Sequence, residues 1–212
     1  MAKSLKEQNR WQLWGIIAVN SLIFFSVVVQ AKIIKLDDLR SIFSEPEKLV
    51  PVGFAVVITT VLNGLLSADA KACLVFLRWH NALPGHRAFS QYATSDPRID
   101  LVALRKTIGP EFPVNPVDQN RVWYRIYKTV EEEPAVSQVH KDFLLLRDYT
   151  GLCVLFIIFY GTVGLSTIAS TRTFILYLLI LIIQYVVVRQ AASHYGVRMV
   201  KTVLAQKAAK AA

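Results

Sequence analysis

The sequence predicts an all-α integral membrane protein: four transmembrane helices, with a small helical cytoplasmic segment between the second and third. Three observations lead there. The 212 residues are 54% hydrophobic with a mean hydropathy of +0.40, against roughly 45–50% apolar residues in an ordinary soluble chain. Four stretches approach the roughly 20 apolar residues that a helix needs to cross a hydrocarbon core about 30 Å thick. The formal charge of +9 lies mostly between and beyond those stretches.

The first span is read over residues 11–31, with Trp11 and Trp14 at the interfacial end where indoles prefer to sit. An external loop follows over 32–48. The second span covers 49–68, and its helix could continue through Lys71 to Trp79, because the apolar pattern resumes there. The third covers 149–170. The fourth, 173–188, is slightly short and could extend into Ala191 and Ala192 or sit in a thinned bilayer. Inside lipid each backbone N–H and C=O needs a partner, so these runs are helices. The third and fourth must form a tight antiparallel hairpin.

Lysine and arginine set the orientation. Residues 1–10 carry Lys3, Lys6 and Arg10; residues 78–147 carry ten basic residues; the tail from Arg189 carries five. The last short turn has only Arg172. The positive-inside rule then places residues 1–10, 80–148 and 189–212 in the cytoplasm, as expected for a multi-pass protein of the inner (plasma) membrane. This distribution accounts for most of the net charge without nucleic acid, so direct nucleic-acid binding is not expected.

The first half of the middle segment is punctuated by prolines, which predicts ordered turns and one short helix over 99–108. Asp118 is a candidate N-cap for a helix over 119–132, whose Val122, Trp123, Ile126, Tyr127 and Val130 recur at three and four. Pro134 suits the first turn of a helix that feeds into the third span. The tail should continue the fourth helix out of the membrane. About 70 residues with so few core positions make a marginal independent unit. A homo-oligomer and a soluble cytoplasmic protein partner are therefore expected, with the face of Val122, Trp123 and Ile126 and the turn of His80, Asn81, His86 and Arg87 as candidate partner or ligand surfaces.

Polar residues within the spans are candidates for a pore lining or for hydrogen bonds between helices: Asn20, Thr59, Thr60, Asn63 and Gln184. None is ionisable at mid-depth, which weighs against a proton-coupled carrier. His80 and His86 flank a Pro-Gly turn and no HExxH occurs, so neither a metal nor a cofactor is expected. Cys73 and Cys153 read as free buried thiols. Phosphate-loop, dinucleotide and serine-hydrolase motifs are missing. Any catalytic role would fall to Arg189, His194 and His140.

Arg189-Gln190-Ala191-Ala192-Ser193-His194 reads R-x4-H. It resembles the arginine–histidine signature of HEPN-type ribonucleases. That resemblance implies paired sites at a dimer interface, with His and Arg acting on a 2′-hydroxyl and a phosphate. An arginine at a membrane exit also serves simply as an anchor. In size, span count and basic cytoplasmic segment, the chain resembles small polytopic proteins of prokaryotic defence operons, which implies a cytoplasmic sensor driving membrane disruption. Three functional readings follow: a non-enzymatic oligomeric subunit or effector whose spans change state, an anchor or scaffold without pore activity, and a membrane-bound His/Arg phosphodiesterase or ribonuclease.

Overall fold

The computed structural model describes residues 5–28 and 50–211. Each described element is helical. A helical turn, Leu5–Gln8, precedes α1 (Arg10–Val28). There follow α2 (Val50–Leu65), α3 (Ala68–Phe76), α4 (Leu101–Ile108), α5 (Pro116–Val130), α6 (Pro134–Thr167) and α7 (Thr171–Ala211). The end of the first expected span, the external loop and Leu49 fall outside the described residues. Among the described residues three helices, α1, α6 and α7, are long and apolar enough to cross a membrane. A fourth crossing requires Val57–Leu65 and Ala68–Phe76 to count as one span, and these are bent by 92°. The helix does resume beyond Ser67, as far as Phe76, but across this bend and not as a continuation of the same axis. The break falls at Leu66-Ser67, and Ser competes for the backbone hydrogen bonds that a helix needs.

The chain divides into two compact units. An apolar unit comprises Gln8–Ser67 and Asp148–Val188, and a basic unit comprises Met1–Glu7, Ala68–Arg147 and Arg189–Ala212. The basic unit holds 18 of the 24 lysines and arginines against ten of the 15 carboxylates. α6 and α7, 34 and 41 residues long, each contribute to both units without a break in the helix. The turn between them is 168–170, a few residues earlier than the expected spans place it.

In the basic unit the helix ends follow local chemistry. Asp100 caps α4 by accepting from the N–H groups of Val102 and Ala103, at 2.8 and 3.0 Å. The cap of α5 is Asn115, which accepts from Val117 N at 2.9 Å, with Pro116 in the first helical position. Asp118, the expected cap, instead sits inside the first turn and pairs with Arg121. Between α3 and α4, Pro84–Ser95 is a run of short 3-10 and π turns. Buried Gln119 secures it: its Oε1 accepts from Phe89 N, Ser90 N and Ser90 Oγ, while Nε2 donates to Val114 O. Gly85 lies against α5 so closely that a Cβ there would stand 2.3 Å from Asn120 Oδ1 and 3.0 Å from Trp123 Cε3, and the Asn120 side chain would have to move. Leu104, Trp123, Ile126, Val136, Phe143, Val203 and Leu204 make one core. Fully burying such a side chain is worth about 1.5–3 kcal/mol. A Lys210–Glu133 ion pair ties the last turn of α7 to the turn before α6.

The apolar unit has its own core of Ile17, Leu152, Phe156, Tyr160, Tyr177 and Leu181. Its outer surface is the reverse of a soluble protein's: Val19, Ile158, Leu165, Ile180, Ile183 and Val187 are exposed.

Candidate functional site

The polar side chains of the apolar unit are gathered rather than scattered. The buried residues of α1 are Ile17, Asn20, Ser21 and Ser26, so three of four are polar. Asn20 Nδ2 donates to Ile16 O at 2.9 Å, inside its own helix. Ser21 Oγ donates to Ile17 O at 2.8 Å and meets the Tyr160 hydroxyl at 2.6 Å. With the serine proton committed to Ile17, Tyr160 is the donor in that pair. Thr59 also bonds the Tyr160 hydroxyl, and the only direction left is from Thr59 to the phenol oxygen. The hydroxyls of Thr59, Tyr160 and Ser21 therefore form one directed chain across three helices, ending on a backbone carbonyl. Phe24 and Phe156 stack on the Tyr160 ring at centroid distances of 4.6 and 5.4 Å, fixing its orientation.

Among the described residues of this unit, the buried polar atoms without a hydrogen-bond partner include Gln12 Oε1, Asn63 Oδ1 and the Tyr177 hydroxyl. Asn63 lies one turn beyond Thr59 on α2, and Tyr177 lies 5.8 Å, ring to ring, from Phe24. Such a group in a dry interior costs about 1–3 kcal/mol. Thr60 is half-buried and engaged within the fold. Being about 100° round the helix from Thr59, it does not share that residue's direction. Gln184 Nε2 donates to the Tyr149 hydroxyl at 2.7 Å, an interhelical bond. Asn20, Thr59, Asn63 and Gln184 are thus inward, while Ser21, Tyr160 and Tyr177 complete the seam. The overlooked signal was tyrosine in mid-span, away from the interfacial belt where it usually sits.

In the basic unit, His140 Nδ1 lies 3.0 Å from the Tyr127 hydroxyl, with the rings edge to face. Burial, helped by the Arg147 charge, pushes the His140 pKa down to about 4, so the ring is neutral near pH 7. Burial and the Glu131 carboxylate push Tyr127 up to about 12. Neither value suits acid–base work near neutrality. Arg189 Nε donates to Val75 O at 3.0 Å. Gln190 stands between Arg189 and His194: Arg189 reaches its Oε1 at 3.5 Å, and its Nε2 lies 2.9 Å from His194 Nε2. The R-x4-H pair is thereby linked, but through an exposed amide and with Arg189 also committed to backbone.

The candidate surfaces divide. Trp123 and Ile126 are buried in the core of the unit and Val122 packs against it, so that face is already covered by the chain's own helices. His80 and Asn81 are exposed. His86 Nδ1 binds Leu83 O at 3.1 Å, and Arg87 donates to Asn81 O and Ala82 O. A cavity of about 430 Å³ is lined by Arg98, Gln138, Asp142, Arg198, Thr202 and Gln206 among others. There Arg98 is bound to Asp96, whose pKa its hydrogen bond holds down at about 2. Both cysteines are free, Cys153 buried and Cys73 half-buried. Among the described residues no three His, Cys, Asp or Glu gather as metal ligands.

Comparison with protein-family models, curated proteins and solved structures finds no match to this chain.

Proposed function

We propose that this chain is a non-enzymatic inner-membrane subunit that assembles with copies of itself and switches the state of its spans when its basic unit binds a soluble partner or signal. The basic unit and both ends face the cytoplasm in this reading, in keeping with the lysine and arginine distribution. The observation that carries it is the half-satisfied polar seam: a directed hydroxyl chain beside two buried polar atoms, Asn63 Oδ1 and Tyr177 Oη, that have no partner. A second arrangement of the helices that gives those atoms partners or water would recover their cost, which makes the unit bistable. The two long helices α6 and α7 each contribute residues to both units. The enzyme reading is less favoured, because His140 and Arg189 are each committed to structural hydrogen bonds.

The test is membrane potential and growth in bacteria expressing the chain, alone and with the products of its neighbouring genes. The expected result is depolarisation that Asn63→Leu abolishes while the cross-linked oligomer is unchanged. A potential that stays intact in every combination would sink the proposal and favour an anchor without pore activity.

A further inference from the structure

We propose that residues 77–81 form an anchor that seats Leu77 and Trp79 in the headgroup boundary of an anionic lipid bilayer. α3 ends at Leu77, which takes φ +50° while its N–H reaches Cys73 O at 2.8 Å. Helices usually give this left-handed position to glycine, because a Cβ there crowds the backbone. Asn81 has the same φ of +50°, which asparagine tolerates. The backbone between these two points is pinned. Cys73 Sγ lies 3.9 Å from Trp79 O, and the Arg87 guanidinium donates to Asn81 O at 3.2 Å and Ala82 O at 3.4 Å. Yet Trp79 is 89% exposed, the highest value among the large apolar side chains described, and Leu77 is 62% exposed. A loose tip could fold its indole back onto the protein. Here a fixed and locally strained backbone holds it away.

The charge and position of the loop choose the occupant. No Asp or Glu occurs between Asp69 and Asp96, whereas Arg78 and Arg87 with His80 and His86 surround the apolar pair. A large indole flanked along the chain by arginines, with no carboxylate nearby in sequence, is the composition of a segment lying at an anionic bilayer surface. The loop begins a dozen residues after the apolar helix α2 ends. For a chain with membrane-spanning helices, lipid is therefore within reach of residues 77–81.

The chain and its Trp79→Phe variant would be reconstituted in nanodiscs of acyl-brominated lipid, either neutral or containing phosphatidylglycerol. Their difference in emission belongs to Trp79. Equal elution and unfolding curves show that removing an exposed ring has left the fold intact. The expected emission is blue-shifted, quenched by the brominated chains about twofold more in anionic discs, and insensitive to acrylamide. Leu77→Gly, which suits the left-handed backbone, should weaken the bromine quenching without unfolding the protein. Acrylamide quenching without bromine quenching would overturn the proposal, leaving Trp79 in water. Insensitivity to both quenchers would also overturn it, in favour of cover by protein such as a second copy. Equal bromine quenching in neutral and anionic discs would overturn the assignment to anionic lipid.

Discussion

The two units bury opposite things. On α5 of the basic unit, Trp123, Ile126, Tyr127 and Val130 are inside while Arg121, Arg125 and Lys128 are outside. On α1 of the apolar unit, Asn20, Ser21 and Ser26 are inside while Val19 and Ile23 are outside. In water the hydrophobic effect drives the first pattern. Between helices in lipid that driving force is gone, and packing with polar contacts is what remains to hold them. With the apolar unit in lipid, as proposed, one chain carries two stability regimes, and substitutions of one chemical kind should behave differently in each.

The largest contrast comes from shaving aliphatic side chains. Leu104→Ala, at a fully buried position of the basic unit, should cost about 2–5 kcal/mol. Ile183→Ala, at a position 60% exposed in the apolar unit, should cost less than about 0.5 kcal/mol in lipid. Thermal unfolding of both variants in nanodiscs reads the difference; equal losses would mean that the outer face of α7 is covered by protein.

Overpacking comes next. An ideal Cβ on Gly196 lies 2.7 Å from Phe76 Cζ and 2.9 Å from Phe143 Cε2, so Gly196→Ala should destabilise the basic unit by about 1–3 kcal/mol. Proteolysis of that unit should speed up correspondingly.

Acid should act on the same unit. The folded His140 pKa of about 4 lies below the ordinary 6.5, so between these values the unfolded chain binds a proton that the fold does not. Stability therefore falls as pH drops from about 6.5 toward 4, by about 2 kcal/mol once solvent access to the half-buried ring is allowed for. His140→Gln should flatten that slope in unfolding curves taken across this range.

The smallest effect is polar. Tyr160→Phe removes the middle of the hydroxyl chain and should cost about 0.6 kcal/mol, at most about 1.7. No loss at all would mean that the seam does not hold the helices together.

Much of this contrast could be read from the residues. The long apolar runs and the basic segments between them separate the units, and the three-and-four spacing of Val122, Trp123 and Ile126 locates α5. That pattern marks an apolar face without saying what covers it, so a buried core face reads the same as a partner surface. The cap of α5 is ambiguous in the residues, because Asn115 and Asp118 are both good caps, and Pro116 in the first helical position favours Asn115. The bend near Ser67 is not legible in the residues, because a serine followed by a resumed apolar run is compatible with one continuous helix. The seam escaped for a different reason: Ser21 and Tyr160 are 139 positions apart, and no local period relates them.

The split of the basic unit along the chain has a consequence for biosynthesis. Met199, Val200, Val203 and Leu204 belong to the same core as Phe89 and Trp123, but they are translated after residues 148–188. At about 5–20 residues per second, the ribosome needs several seconds to make that stretch and the tail. Through that interval the faces of α5 and α6 that will meet the tail have nothing to meet. The nascent protein must hold them soluble, or shielded by a chaperone, until α7 arrives.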